Sequence, residues 1–203
     1  MTEMALVSPL LVLLLSGSFT IGMSLTKTLV AGQLVRNANV LNVRGIDLSQ
    51  VANQRALLRA APGLGLNLPN TWNPDPNGKA TVILTKVIRV GPNACNLGIP
   101  TWNQNPTSCP NYGQYVIASR VKIGNQTRWA SDTGTPSSTP GTGGKISDAN
   151  VATVTGNRAS NFPGIITLSN DEFTLIAEVA ADISSLNIFK LIPNPLIRVR
   201  NLS

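Results

Sequence analysis

The chain has 203 residues, a formal net charge of +7, 12% charged and 4% aromatic residues, 17 glycines, 14 prolines and no histidine. Without histidine the commonest general base and the commonest zinc ligand are both missing, which argues against an enzyme and against a metal site. The low charge and the glycine and proline content point to a loop-rich, β-containing body rather than a helical enzyme.

The first 26 residues carry one charge, Glu3, and an apolar run extends from Met4 to about Leu25 before Lys27 breaks it. About 20 apolar residues in a helix cross a bilayer core, so this run is long enough. A carboxylate at the mouth of such a segment is costly in lipid and marks a functional position. A secretory signal would begin with basic residues and end at a small-residue cleavage site, and neither pattern is clear here. A single-pass anchor fits the length without accounting for Glu3. A third reading is a pilin-type segment whose basic leader has been removed. Within the run, Pro9 has no N–H, so the Ala5 carbonyl loses its helical bond, and Gly17 and Gly22 soften the same stretch. Either this is an ordinary transmembrane proline or the softened stretch lets the helix repack in a polymer.

Residues 1–43 read as one helix, whose later apolar positions, Leu25, Leu29, Val30, Leu34, Ala38 and Leu41, recur near helical spacing. Gly45 is the expected stop. Asp47 is the expected cap of a second helix over 48–61, with Leu48, Val51, Ala52 and Leu58 on its apolar side, ending before Pro62-Gly63. Residues 64–78 read as a loop and 79–90 as a central strand with apolar residues on both faces. Residues 91–110 read as a loop holding Cys95 and Cys109. With too few ligands for zinc, a disulfide is expected, two buried thiols being the alternative; it implies an oxidising compartment.

Tyr115, Ile117, Val121 and Ile123 alternate with Val116, Ala118, Arg120 and Lys122, as in a half-buried strand, and 127–130 reads as a short strand. The segment 131–144, rich in Ser, Thr, Pro and Gly, reads as an exposed, mobile loop that buries nothing. Its Thr135, Ser137, Ser138 and Thr139 would form the outer surface of an assembly, open to O-glycosylation, or belong to a tolerated insertion. Strands are expected at 163–168, at 172–181 with Phe173, Leu175, Ala177 and Val179 on one face, and at 195–201. Short turns between sequential strands favour an antiparallel sheet. Asp171-Glu172 reads as a pair of solvated turn acids. Asn125-Gln126-Thr127 and Asn201-Leu202-Ser203 match the N-glycosylation pattern, which is frequent by chance. The basic residues are scattered, giving no nucleic-acid signal beyond non-specific attraction.

The N-terminal residues Glu3-Met4-Ala5-Leu6-Val7-Ser8-Pro9-Leu10-Leu11 and the Leu-rich run after them resemble the TadE-like proteins of tight-adherence, type IV-like pilus systems. The likeness continues in Gln33-Leu34-Val35-Arg36-Asn37-Ala38 and Arg44-Gly45-Ile46-Asp47-Leu48-Ser49, and returns in Leu191-Ile192-Pro193-Asn194-Pro195-Leu196-Ile197-Arg198-Val199-Arg200. Pilin-type proteins carry the glutamate at the fifth mature position, whereas here it is the third; either two residues precede Met1 in the mature chain or the processing site differs.

The resemblance implies an α+β ladle: a long N-terminal hydrophobic helix as handle, then a short helix and an antiparallel β-sheet body with one disulfide. The boundary is expected at residue 62, with 1–26 in the membrane or filament core and 63–203 as an extracellular body. The implied partners are other copies of the chain in a homopolymer, a prepilin peptidase, an assembly platform and the inner membrane before assembly. No cofactor, specific nucleic acid or small-molecule substrate is expected. Subunit assembly would fall to Glu3, Met4, Ala5, Leu6, Val7, Pro9, Leu10, Leu11, Leu13, Leu14 and Phe19. Glu3 would face a neighbour's N-terminal amine or, alternatively, lie at the headgroup level. The rival functions are a low-copy minor pilin that primes assembly and a membrane-anchored periplasmic binding or adhesion module.

Overall fold

A computed structural model describes residues 2–100, 108–162, 166–184 and 196–202, with side chains from Val7 onward. One helix, α1, runs from Thr2 to Val43, 42 residues or about 63 Å long. Its end is a Schellman motif: Ile46 N–H donates to the Leu41 carbonyl at 3.1 Å and Gly45 N–H to that of Asn42 at 3.0 Å. Gly45 sits at φ +74°, a conformation an L side chain would strain.

The second helix, α2, spans Val51–Ala60 and begins three residues later than the sequence suggests. Asp47 does not cap it. Its carboxylate closes the preceding turn instead, accepting from the Ser49 N–H at 3.0 Å and the Ser49 hydroxyl at 2.7 Å. Those two bonds hold the Asp47 carboxyl below the usual carboxylate range. The buried face of α2 differs from the expected one. Gln54, Leu57 and Leu58 are buried with Leu48, while Val51 and Ala52 are exposed.

Four antiparallel strands, β1 (Ala80–Arg89), β2 (Tyr115–Gly124), β3 (Phe173–Asp182) and β4 (Leu196–Leu202), lie in the order β2-β1-β3-β4. The central position of β1 explains why both its faces are apolar. Short turns are not what joins these strands. The β1–β2 link carries α3 (Pro92–Gly98), and the β2–β3 link carries α4 (Asp148–Thr153) with two short 3-10 turns. Antiparallel pairing follows from the register despite the long links.

The register separates two sheet faces. Val82 pairs with Ile123 and Val179, and Val179 with Val199; these residues form one core with Ala31, Leu34, Val35 and Ala38 of α1 and Leu57 and Leu58 of α2. On the other face Ile83 pairs with Lys122 and Glu178, and Glu178 with Arg200. A bulge between Lys86 and Val87 leaves Ala118 without a partner in the ladder. The bulge breaks the expected alternation of β2: Val116 and Ile117 are both buried in a second core with Val87 and Phe162. Arg120 stays on the face opposite Val121 and Ile123 but is buried, because Thr133 and Gly134 cover it.

Residues 127–130 form a turn and an irregular stretch instead of a strand, because the Asn125 side chain accepts from the Thr127 and Arg128 N–H groups and folds the chain back. Residues 166–168 are likewise not a strand, and 163–165 lie outside the described residues, as do 185–195. On β3, Ala177 and Val179 sit under the helices as expected, Leu175 is half-buried and Phe173 is exposed. The β-body core continues through residues 31–61, so the change from bare helix to packed body falls within α1 near Val30 rather than at residue 62.

Candidate assembly surface

α1 changes character along its length. From Ala31 the buried residues are Ala31, Leu34, Val35 and Ala38, spaced i, i+3, i+4 and i+7 as a core-facing stripe requires. Before it there is no stripe. Val7, Leu10, Leu11, Val12, Leu13, Leu14, Leu15, Phe19, Ile21, Leu25 and Leu29 are all more than half exposed and point in every direction around the axis. A helix that is apolar all round and uncovered by its own body is built to be covered by something else. The span from Val7 has a mean hydropathy of 1.7 over its most apolar window, of which 6% is buried, and is long and apolar enough to cross a membrane.

Four hydroxyls in this stretch turn back on the helix itself. Ser16 donates to the Val12 carbonyl at 2.7 Å, Thr20 to Ser16 at 2.8 Å, Thr26 to Gly22 at 2.9 Å and Thr28 to Ser24 at 3.0 Å. Each hydroxyl spends its proton on the carbonyl four residues back, which suits an apolar surrounding where an unpaired O–H is expensive. A Cβ at Gly17 or Gly22 would meet nothing within 4 Å, so the folded monomer does not need glycine at either position. Pro9 lies inside the helix, about two turns from its start.

Of the residues expected to assemble the polymer, Val7, Pro9, Leu10, Leu11, Leu13, Leu14 and Phe19 therefore sit on one uncovered rod. Glu3, Met4, Ala5 and Leu6 have helical backbone, and their side chains lie outside the described residues.

The disulfide joins Cys95 and Cys109, with Cα atoms 6.0 Å apart and a sequence separation of 14. It ties α3, which the sequence reading took for loop, to the turn before β2. Asp171 holds the other end of α3. Its carboxylate accepts from the N–H groups of Gly91 at 3.0 Å, Asn93 at 3.0 Å and Ala94 at 2.9 Å. This acid is thus a helix cap reaching across 77 or more residues of chain, not a solvated turn residue. Nothing local in Asn170-Asp171-Glu172 announces that role.

The segment 131–144 departs from expectation at its start. Ser131 and Thr133 are buried, and the buried Arg120 guanidinium donates to the Gly134 carbonyl and the Thr133 hydroxyl, both at 2.8 Å. Ser131 in turn bonds Glu178. Farther along, Thr135, Ser137 and Thr139 are exposed and Ser138 is half-buried, its N–H bonded to Asn157 at 2.9 Å. A small-residue segment can bury polar groups when a buried cation and carboxylate satisfy them. Asn125 of the first glycosylation pattern is 8% exposed, and its amide nitrogen donates to the Gly78 carbonyl at 3.0 Å, so that side chain is committed to the fold.

Among the described residues, no group of three or more Cys, Asp or Glu side chains converges as a metal site. Comparisons with protein-family models, curated proteins and solved structures return no match to this chain.

Proposed function

We propose that this chain is a structural subunit of an extracellular, type IV-like (Tad-type) pilus, polymerising through the N-terminal half of α1. The observation that carries the reading is the uncovered apolar rod continuing without a break into a helix half that the body packs against. A rod of that kind is tolerated in a bilayer before assembly and among its own copies afterwards. In lipid the exchange of partners gains little; in water, burying each leucine contributes about 2 kcal/mol, so a filament outside the cell is held by the same surface that held the subunit in the membrane. The resemblance of residues 3–11 to TadE-like proteins agrees with this reading.

In this reading Glu3 sets axial register. Its carboxylate meets the N-terminal amine of a neighbouring copy at low dielectric, and an unpaired charge buried there would cost several kcal/mol. Glu3→Ala is expected to abolish filaments while membrane insertion survives. Electron microscopy and mass spectrometry of material sheared from the cell surface read the outcome: regular filaments made mainly of this chain support the proposal. Normal filaments from Glu3→Ala overturn the role of Glu3, and a monomeric wild-type chain confined to membranes favours an anchored module.

A further inference from the structure

A cavity of about 490 Å³ lies at the β2 edge of the sheet, and the assembly surface gives it no use. Its walls are the turn before α2 (Ser49), α2 itself (Gln54), the middle of β2 (Arg120, Lys122) and the strap 135–141. The volume falls within the range of small-molecule sites, about 300–1,000 Å³. Several contacts hold the strap in place, among them the Ser137 N–H to the Gly156 carbonyl at 3.2 Å and the Gly141 N–H to the Lys145 carbonyl at 2.8 Å. Asn157 bonds the Ser138 N–H and hydroxyl, at 2.9 and 2.8 Å. At the strap's far end Gly144 lies so close to β2 that a Cβ there would sit 2.5 Å from the Arg120 carbonyl oxygen, which excludes every other residue without a shift.

The charge in the wall is one-sided. Arg120 and Lys122 both line the cavity, and among the described lining residues there is no carboxylate. Burial pushes the Arg120 guanidinium down to about 10, against an opposing pull from Glu178. Burial, with the charge of Arg120 added, also pushes Lys122 down. Glu178 is already engaged by the Ser131 hydroxyl and the Asp132 N–H. Two polar atoms of the wall residues are buried without a partner in the structure: Nε of Arg120 and Oε1 of Gln54, each on a side chain about 95% buried. The Lys122 ammonium donates to the Gln126 carbonyl at 2.8 Å, a neutral partner that leaves its charge uncompensated. Two partly desolvated cations beside an opening that supplies no anion are stabilised by one arriving from outside.

The rest of the lining narrows the ligand. Ser49, Ser137, Ser138 and Gln126 offer hydroxyl and amide groups, and the wall has no aromatic side chain. An apolar ligand would find little to bury, and a bare oxyanion would leave most of the volume empty. We infer that this cavity binds an acidic monosaccharide, its carboxylate toward Arg120 and Lys122 and its hydroxyls toward the strap. The site makes the chain a sugar-binding protein as well as a subunit, and it stands whether or not the chain polymerises.

The test is isothermal titration of the full chain in a zwitterionic detergent with glucuronate, glucose and inorganic phosphate. Saturable binding of glucuronate is expected, with glucose and phosphate each about tenfold weaker or more, as loss of a charge-assisted bond or of the hydroxyl contacts implies. Lys122→Gln is expected to weaken glucuronate about tenfold with an unchanged melting temperature. Thr139→Trp, on the exposed strap, is expected to block the cavity and abolish binding. No saturable glucuronate binding, or binding untouched by both substitutions, overturns the inference. Phosphate binding as tightly as glucuronate reduces the site to a free-oxyanion site and overturns the sugar assignment, and glucose binding as tightly overturns the role of the cations.

Discussion

The two halves of α1 are continuous in backbone and opposite in design. Residues 31–38 present one apolar stripe, and the sheet and α2 cover it completely: Ala31, Leu34, Val35 and Ala38 are all 0% exposed. Residues 7–29 present apolar side chains on all sides, and the body leaves Leu14 65% and Leu29 69% exposed. Helix formation is therefore not what distinguishes handle from body. The difference lies in angular distribution: a stripe meets one partner and an all-round surface needs a surrounding, whether lipid or a ring of neighbouring helices.

That contrast can be broken from either side. The largest effect is expected from Leu10→Lys combined with Leu14→Lys, which puts two charges on the uncovered rod. Filaments and membrane insertion are expected to be lost, while the thermal melting of the body stays within a degree or two of wild type by circular dichroism, because neither residue touches the core. A large drop in the melting temperature would show that the rod supports the body after all.

The converse substitution, Leu34→Ala, removes a fully buried side chain from the covered half. A loss of about 4 kcal/mol in denaturant unfolding is expected, with insertion of the apolar span intact. A third change acts on the body alone. Opening the Cys95–Cys109 bridge by Cys95→Ser with Cys109→Ser frees a loop of about 15 residues and is expected to cost about 3 kcal/mol in the chain-entropy account. Chemical denaturation of oxidised and reduced protein measures it, and a rod-driven filament should still form where the body remains folded. The smallest effect is expected from Asp171→Ala, which uncaps α3 and should cost about 1 kcal/mol, read as earlier hydrogen exchange at Gly91, Asn93 and Ala94. Protection unchanged at those amides would show that the disulfide alone holds α3.

Which features were legible follows from how far each one's cause lies along the chain. The Schellman end of α1 is written in one glycine and its neighbours, so Gly45 was readable as a stop. The central position of β1 is written in its two-sided apolar run. Asp47 was readable as a capping residue but not as to which turn it closes, because Ser49 competes for its carboxylate two residues away. The burial of Arg120 was not readable, since it follows from a covering segment, 131–134, whose composition resembles a free loop. Asp171 was assigned to solvent for the same reason: its three partners come from a segment 77 to 80 residues earlier.

Within the apolar run, then, the sequence by itself determined length, polarity and helical form, because these rest on composition and on bonds between residues four apart. It also determined the α+β class and the strand segments β1 to β4, through local hydrophobic pattern. Only the tertiary structure decided where the body stops covering α1, that a bulge turns Ile117 to the face opposite Val121 and Ile123, and that α3 exists between Asp171 and the disulfide. It alone placed two cations of β2 under the strap to form a cavity. Each of those depends on contacts between residues far apart in the chain, where the free energy comes from burial and pairing that no local pattern encodes.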